Sequence, residues 1–208
     1  MSAPRRLWVR SRDFTTRADR RALSASELTD ARHNAPVSLE LRGLVLLRDF
    51  RPNDRSGLVA LAHDEAVSEY TKFRFDEATA VRWLENFVNE PNASPRKHWG
   101  LVIESLDGEF VRWAGVDGRG KDDEAEIGWY LASRYWDRGY ATETTRLLID
   151  FACDTLKYRR LFATADPENA ASRRVLEKSG FEYVGIVDHV PTWRGPRPRL
   201  IFELLRVP

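Results

Sequence analysis

The sequence has few sulfur-containing residues and no long apolar segment. Its 208 residues include one cysteine, Cys153, and one methionine. A single cysteine excludes an intramolecular disulfide framework and any zinc or iron–sulfur site held by several thiolates. No apolar run approaches the length of about 20 residues that a membrane-spanning helix needs, and the first residues lack the apolar stretch of a signal peptide. We therefore expect a soluble, cytoplasmic protein without a membrane partner.

An excess of charge of one sign is also missing, since 33 Lys and Arg balance 32 Asp and Glu. The charges are unevenly distributed along the chain. Residues 1–36 contain eight arginines and four acids, a net charge of +4, while residues 37–208 carry a net charge of −3. A slightly acidic body is not typical of nucleic-acid-binding proteins. We expect residues 1–36 to form a basic, weakly ordered extension and residues 37–208 to form the folded domain.

Apolar periodicity and turn residues predict a mixed α/β domain. In chain order the patterns predict a strand at 43–50, a short helix after Pro52, a helix from Asp76, strands at 98–106, 110–116 and 124–131, a helix at 140–156, a strand at 161–165, a helix from Asn169 to Lys178, and strands at 182–190 and 199–205. The order βααβββαβαββ indicates an α/β (α+β) fold with a mixed, mostly antiparallel central sheet flanked by helices.

The strand at 124–131 shows the clearest alternation in the chain. Because successive side chains of a strand point to opposite faces, Glu126 shares a face with Gly128 and Tyr130. The other face is apolar and consists of Ala125, Ile127, Trp129 and Leu131. A carboxylate is thus expected on the polar face of an otherwise apolar strand.

A glycine lies between this strand and the next helix, in the segment Trp136-Asp-Arg-Gly-Tyr-Ala-Thr142. A glycine before a helix N-terminus lets successive backbone N–H groups point into one concavity, and the helix dipole favours phosphate there. Arg138 adds a formal positive charge. An ordinary turn between a strand and a helix can contain the same residues, so this segment alone leaves both interpretations open.

A second motif follows the next strand. It reads Asn169-Ala-Ala-Ser-Arg-Arg-Val-Leu-Glu-Lys-Ser-Gly-Phe181 and begins another helix. Together with 136–143, it resembles the GCN5-related N-acetyltransferase (GNAT) superfamily, in particular the branch of ribosomal-protein N-terminal acetyltransferases of the Rim type. The resemblance is tightest over 124–185, extends over 37–206 and does not include residues 1–36. It implies an acetyl-CoA cleft between two splayed parallel strands, 124–131 and 161–165.

The resemblance also implies roles for individual residues. Asn169 would contact the pantetheine arm of the cofactor, and Ser172 would lie near the thioester sulfur. Backbone groups would bind the rest of the cofactor: the pyrophosphate through Arg138, Gly139, Tyr140, Ala141 and Thr142, and the pantetheine through Trp129, Tyr130 and Leu131. A plain N-cap role for Asn169 and an incidental position of Ser172 in the first helical turn are the alternatives.

Two residues depart from the pattern of the family. Trp136 occupies a position where Gln or Arg is common, although the Rim-type branch tolerates an aromatic residue there. Leu176 occupies the position at which many relatives have a tyrosine that protonates the departing thiolate. Because leucine has no proton to donate, Ser172 or a bound water would have to serve, or the thiolate would leave unassisted.

Acetyl transfer to an amine needs a group that removes the amine proton. Glu126 fits this role because it shares a strand face with Gly128 and Tyr130, beside the expected pantetheine. An exposed strand carboxylate without a catalytic role is the alternative. No covalent enzyme intermediate is needed, and the position of Cys153 within an apolar helix indicates a buried structural thiol. The four histidines show no metal-ligand spacing, so no metal is expected.

These features favour an acetyl-CoA-dependent N-acetyltransferase that acts on a primary amine, such as a protein N-terminus or lysine. Three alternatives stay open: a small-molecule amine as the acceptor (a polyamine, an amino acid or an antibiotic), a non-catalytic CoA-binding module, and an RNA-associated protein tethered by residues 1–36. A homodimer is an expectation from the family alone.

Overall fold

The computed structural model describes residues 8–11, 37–60, 64–72, 76–93, 95–118 and 123–206. Its strands are β1 (Trp8–Ser11), β2 (Val37–Arg42), β3 (Val45–Asp49), β4 (His98–Ser105), β5 (Phe110–Asp117), β6 (Glu124–Leu131), β7 (Arg160–Ala165), β8 (Glu182–Val190) and β9 (Arg197–Leu205). Its α-helices are α1 (Arg55–Ala60), α2 (Glu65–Ser68), α3 (Glu77–Asn89), α4 (Tyr140–Asp150) and α5 (Ala170–Lys178). Short 3-10 turns lie at Pro52–Asp54, Glu90–Asn92 and Ser133–Tyr135.

The described strands form one sheet in the order β1-β2-β3-β4-β5-β6-β7-β9-β8. Neighbouring strands are antiparallel except for β6 and β7, which are parallel. The predicted mixed, mostly antiparallel α/β fold is therefore confirmed. The single parallel pair of the described strands lies between β5 and β9 in the sheet, and the helix α4 connects its two strands, as a parallel crossover requires.

Helices cover both faces of the sheet. Trp99 and Gly100 are consecutive in β4 and therefore point to opposite faces. Trp99 packs edge-on against Phe151, which directly follows α4, with ring centroids 5.1 Å apart. On the other face, a Cβ at Gly100 would lie 2.4 Å from Phe87 Cδ1, so α3 packs directly on the backbone there. The core is thus divided into two parts: one lies between the sheet and α3, and the other lies between the sheet and α4.

The N-terminal part of the sheet differs from the prediction. The strand expected at 43–50 begins at Val45, and β2 precedes it through a tight hairpin in which the Gly43 N–H donates to the Val45 carbonyl. A Cβ at Gly43 would lie 2.1 Å from Glu143 Oε1, so the hairpin packs closely against α4. The only described residues within 1–36 form β1, which pairs with β2. A weakly ordered extension therefore stays a prediction, since the rest of 1–36 lies outside the described residues.

The predicted helix at 140–156 is α-helical to Asp150 and continues as a π-helical turn, Phe151–Thr155. The predicted apolar stripe is buried at Thr145, Leu148, Phe151, Ala152 and Leu156, while Ala141 is half-buried. Cys153 is a free, buried thiol in this turn. Burial raises the pKa of the Cys153 thiol, which disfavours a reactive thiolate.

None of the helices in the described ranges is long and apolar enough to cross a bilayer.

Candidate active site

The two parallel strands separate after three residue pairs. They pair at Glu124 with Arg160, Ala125 with Leu161, and Glu126 with Phe162. Beyond these pairs β6 remains paired with β5 and β7 remains paired with β9. The backbone groups on the facing edges of residues 127–131 and 163–165 are therefore available to an extended ligand that contains amides. The gap belongs to a cleft of about 680 Å³, a size typical of small-molecule sites.

The loop at one end of the cleft presents a helix N-terminus. Gly139 is the N-cap of α4 and has a left-handed φ of 77°, and Asp137 also has a positive φ of 60°. Glu143 is the first residue whose N–H bonds back to this turn, to the Gly139 carbonyl at 3.0 Å. The N–H groups of residues 140–142 have no acceptor within the helix, so they form a site for an anion. Glycine fits this position because it adopts positive φ without strain.

Trp136 fastens this loop to the end of β6. Its indole Nε1–H donates to the Leu131 carbonyl at 3.1 Å. The indole lines the cleft and remains 43% exposed. The aromatic residue at this position therefore has a structural role, because it sets the path of the chain from the strand to the anion site.

The start of α5 forms the opposite side of the cleft. Asn169 is the N-cap, and its Oδ1 accepts the Ser172 N–H at 2.9 Å. Both residues line the cleft. Leu176, one turn further, is 1% exposed and packs in the core, so no proton donor is present at its position. The predicted helix end is confirmed: Gly180 has a φ of 90°, and the Phe181 N–H donates to the Leu176 carbonyl at 3.0 Å.

Replacing Asn169 separates capping from ligand binding. We expect Asn169→Ala to lower the free energy of unfolding by about 1 kcal/mol, because the Ser172 N–H loses its acceptor. Asn169→Asp keeps an N-cap oxygen and should retain this stability, but it lacks the amide NH₂. If that NH₂ binds a ligand carbonyl, both variants lose affinity for acetyl-CoA. Urea denaturation and calorimetric titration measure the two effects, and unchanged affinity in Asn169→Asp would show that the residue only caps the helix.

Glu126 lies at the point where the strands separate. Its carboxylate lines the cleft with a side-chain exposure of 39%, and its Oε1 lies 3.9 Å from Lys72 Nζ. The position combines access to ligand with access to water. A carboxylate in this place can accept a proton from a bound amine, directly or through a water molecule.

Tyr130 lies on the same strand face as Glu126. Burial, together with the nearby negative charge of Glu126, raises the pKa of Tyr130 to about 12. Its ring packs against Trp113 with a centroid distance of 4.6 Å, and the Arg112 guanidinium lies 5.9 Å from the ring centroid. The phenol therefore stays protonated at physiological pH and cannot act as a base.

Residues 64–72, which we term the α2 wall, close one side of the cleft and were not identified from the sequence. The Asp64 carboxylate accepts the Ser133 N–H at 2.8 Å. Arg199 of β9 donates to the Tyr70 carbonyl at 3.0 Å, and Trp193 Nε1–H, from the loop between β8 and β9, donates to the Ser68 carbonyl at 3.2 Å. These contacts join residues separated by up to 129 positions, and no local pattern in the sequence indicates them.

Most of the residues predicted for the site meet in this cleft: Glu126, Trp129, Tyr130, Leu131, Gly139, Tyr140, Ala141, Thr142, Asn169 and Ser172. Arg138 belongs to the loop but does not line the cleft. Its side chain is exposed, and its guanidinium carbon lies 5.6 Å from the centroid of the Tyr135 ring. Only the backbone of Arg138 could then act as predicted.

The chain is similar to known proteins over the same region. Residues 45–182 match the family model described as an acetyltransferase (GNAT) domain. The uncharacterized protein YkkB of Bacillus subtilis is 29% identical over 147 residues, 67% of this chain and 82% of its own length. The uncharacterized N-acetyltransferase YnaD of the same species is 26% identical over 147 residues, covering 68% and 81%. The structure of Mycobacterium smegmatis RimJ in complex with CoA-disulfide superimposes with a TM-score of 0.70 at 24% identity, covering 81% and 86%.

Proposed function

The chain belongs to the GNAT acetyltransferase family, and from this premise we propose that it transfers the acetyl group of acetyl-CoA to a primary amine. One observation carries the proposal: the gap between β6 and β7 opens at Glu126 and borders, in the same cleft, the N-terminus of α4. A single cleft thus offers an anion site, two backbone edges and a carboxylate, which are the groups that this reaction uses.

The cleft suits a cofactor with a pyrophosphate and an amide-containing arm. The N–H groups of residues 140–142 would bind the pyrophosphate, aided by the helix dipole. The free edge of β6 at Trp129, Tyr130 and Leu131 would pair with the amides of the pantetheine arm, as a strand pairs with a neighbour. Asn169 would bind the same arm from the side of α5. When bound, acetyl-CoA supplies the activated acyl group.

Glu126 would act on the acceptor. An alkyl amine is mostly protonated at neutral pH and cannot attack a carbonyl until it loses a proton. The Glu126 carboxylate would take this proton, directly or through water, so that the nitrogen forms its bond to the acetyl carbon while the carbon–sulfur bond breaks. Holding both reactants side by side in the cleft supplies much of the rate, and no covalent intermediate on the protein is required.

The proton for the departing thiolate would come from Ser172 or from a bound water. Ser172 lines the cleft in the first turn of α5, and its hydroxyl is a donor that Leu176 cannot provide. The leucine also supports a second candidate function, a module that binds CoA without turnover. The position of Glu126 at the strand separation favours the catalytic interpretation.

For the acceptor, we propose an amine of a protein, either its N-terminus or a lysine. The amine would reach Glu126 past the α2 wall, whose residues Tyr70, Thr71 and Lys72 line the cleft. A small-molecule amine that enters by the same route is the alternative. A panel that contains both protein-like peptides and small-molecule amines distinguishes the two classes of acceptor.

The experiment is an assay of CoA release by the full chain with acetyl-CoA and a panel of acceptors: peptides with free N-termini, acetylated peptides with one lysine, polyamines and amino acids. Release that depends on one acceptor class would support the transferase and identify the class. Tight acetyl-CoA binding without release for any acceptor would instead favour the non-catalytic module. A folded protein that does not bind acetyl-CoA in calorimetry would refute the proposal.

A further inference from the structure

The cleft contains a primary amine that belongs to the chain itself. Lys72 is part of the α2 wall and lines the cleft, and its side chain is 37% exposed. Its Nζ lies 3.9 Å from Oε1 of Glu126, the carboxylate at the point where β6 and β7 separate. A lysine amino group therefore already occupies the place beside Glu126 where the proposed reaction needs an amine.

The backbone of Lys72 is held by the C-terminal part of the chain. Its carbonyl accepts the Trp193 N–H at 3.0 Å, and the Tyr70 carbonyl accepts from Arg199 at 3.0 Å. Arg199 belongs to β9, which pairs with β7 along the other side of the cleft. These hydrogen bonds fix the segment from which the Lys72 side chain reaches Glu126, so the approach of the two groups is a property of the fold.

The other carboxylates that line the cleft have different surroundings. Asp166 and Glu168 lie 2.7 to 3.8 Å from arginines of β9. Asp137 belongs to the loop before α4, at the opposite end of β6 from Glu126. Glu126 is thus the cleft carboxylate that pairs with Lys72 within the described residues.

The direction of the proposed cofactor brings its reactive end to this pair. The pyrophosphate would bind at the N-terminus of α4, and Trp136 joins that loop to Leu131, the last residue of β6. An arm that runs from there along the free edge of β6 has its far end near Glu126, where the edge begins. The thioester, the carboxylate and the Lys72 amine then meet at one point of the cleft.

We propose that the protein acetylates its own Lys72 with acetyl-CoA bound in the same cleft. The inference rests on the proposed function, because it uses the same co-substrate and the same base. Glu126 takes one proton from the Lys72 nitrogen, after a rotation of the side chains or through one water molecule. The bond from Nζ to the acetyl carbon forms while the carbon–sulfur bond breaks. The thiolate leaves with the second proton that the nitrogen loses, relayed by Ser172 or water. The product is an uncharged amide, so the modification also removes a positive charge from beside Glu126.

Incubation of the full chain with acetyl-CoA and no other acceptor tests this inference. Peptide mass spectrometry follows the acetylation of each lysine with time. Lys97 and Lys157 are exposed and do not line the cleft, so they report the background of uncatalysed acetylation. We expect Lys72 to react at least about 100-fold faster than either, since a general base and the proximity of the reactants can each supply that factor.

Two variants identify the groups involved. Glu126→Gln should slow acetylation of Lys72 by a factor of about 10² to 10⁴, because the base is lost. Lys72→Arg keeps the positive charge but offers no amine that can be acetylated in this way, so the release of CoA that accompanies the modification should be lost. An isotope-labelled Glu126→Gln chain mixed with unlabelled wild type shows whether the reaction stays within one chain, and its Lys72 should react as slowly as in the variant alone.

Rapid acetylation of the labelled Lys72 by the wild type would overturn the inference, since the reaction would then occur between chains. Equal rates at Lys72 and Lys97 in the wild type would also overturn it. The proposed function would stay intact in that case if the same preparation releases CoA with an external amine. A wild type that modifies no lysine above the background and releases no CoA with any acceptor would instead contradict the proposed function itself.

Discussion

A Gly139→Asp variant is expected to bind acetyl-CoA at least about 100-fold more weakly than the wild type. The new carboxylate would lie at the N-terminus of α4, where the proposed pyrophosphate site is. Two like charges about 4 Å apart near a protein surface repel by about 4 kcal/mol, whereas a 100-fold loss of affinity corresponds to about 2.7 kcal/mol. Titration calorimetry at low salt measures the effect directly.

The matched control for this variant is Gly139→Asn. Asparagine has nearly the same shape as aspartate, is uncharged and tolerates the left-handed backbone conformation better than most residues. Among the described residues, a Cβ at this position has only Leu44 Cδ2 within 4 Å, at 3.8 Å, so the described chain does not block either side chain at its first carbon. We expect the asparagine variant to lose about tenfold or less in affinity. Equal losses in the two variants would show that shape, and not charge, determines binding at this turn.

Replacing Glu126 with glutamine should lower kcat by a factor of about 10² to 10⁴, the range typical of a lost general base. The affinity for acetyl-CoA should not change, because the proposed contacts of the cofactor with β6 are made by the backbone. Raising the pH toward the pKa of the acceptor amine increases the fraction of free amine. The variant should therefore recover part of the difference from the wild type at high pH. Steady-state kinetics from pH 6 to 10 and calorimetry together measure these effects.

Glu124→Gln provides the comparison for this experiment. Glu124 lies on the same strand and the same face, and its carboxylate accepts a hydrogen bond from Arg160 at 2.6 Å. Loss of this partly exposed ion pair should affect stability slightly and leave kcat within about twofold of the wild type. A comparable fall in kcat for both variants would mean that strand charge, rather than proton transfer at residue 126, limits the rate. An unchanged kcat in Glu126→Gln would remove this residue from the proposed mechanism.

The side of the cleft proposed to bind the cofactor could be predicted from the sequence because its determinants are local. The alternation over 124–131, the glycine before α4 and the N-cap of α5 each depend on residues within a few positions of one another. Such patterns fix strand faces and helix ends almost independently of the rest of the chain. The parallel pairing of β6 and β7 followed from the resemblance to the GNAT superfamily, and the three-pair ladder confirms it.

The other side of the cleft could not be predicted because its determinants are distant in the chain. The α2 wall contains a helix of four residues, too short to show a clear period. Arg199 bonds to the Tyr70 carbonyl, and any residue at position 70 would offer the same acceptor. The strand β2 was missed for a related reason: its first residues directly follow the expected boundary at Pro36, and its pairing depends on the hairpin at Gly43.

The attachment of the α2 wall has a consequence for how the protein can evolve. Three of the hydrogen bonds that hold it in place are accepted by main-chain carbonyls. The Ser68 carbonyl accepts from Trp193 Nε1, and the Tyr70 carbonyl accepts from Arg199. The Lys72 carbonyl accepts from the backbone N–H of Trp193. Every residue type has a main-chain carbonyl, so a substitution removes such an acceptor only if it moves the backbone. The side chains of Tyr70 and Lys72 can therefore diverge while the wall keeps its place, whereas Thr71 is buried and its hydroxyl donates to the Ser68 carbonyl. In proteins that share this wall, single substitutions at positions 70 and 72 could then change the preference for the proposed acceptor without altering the side of the cleft proposed to bind the cofactor.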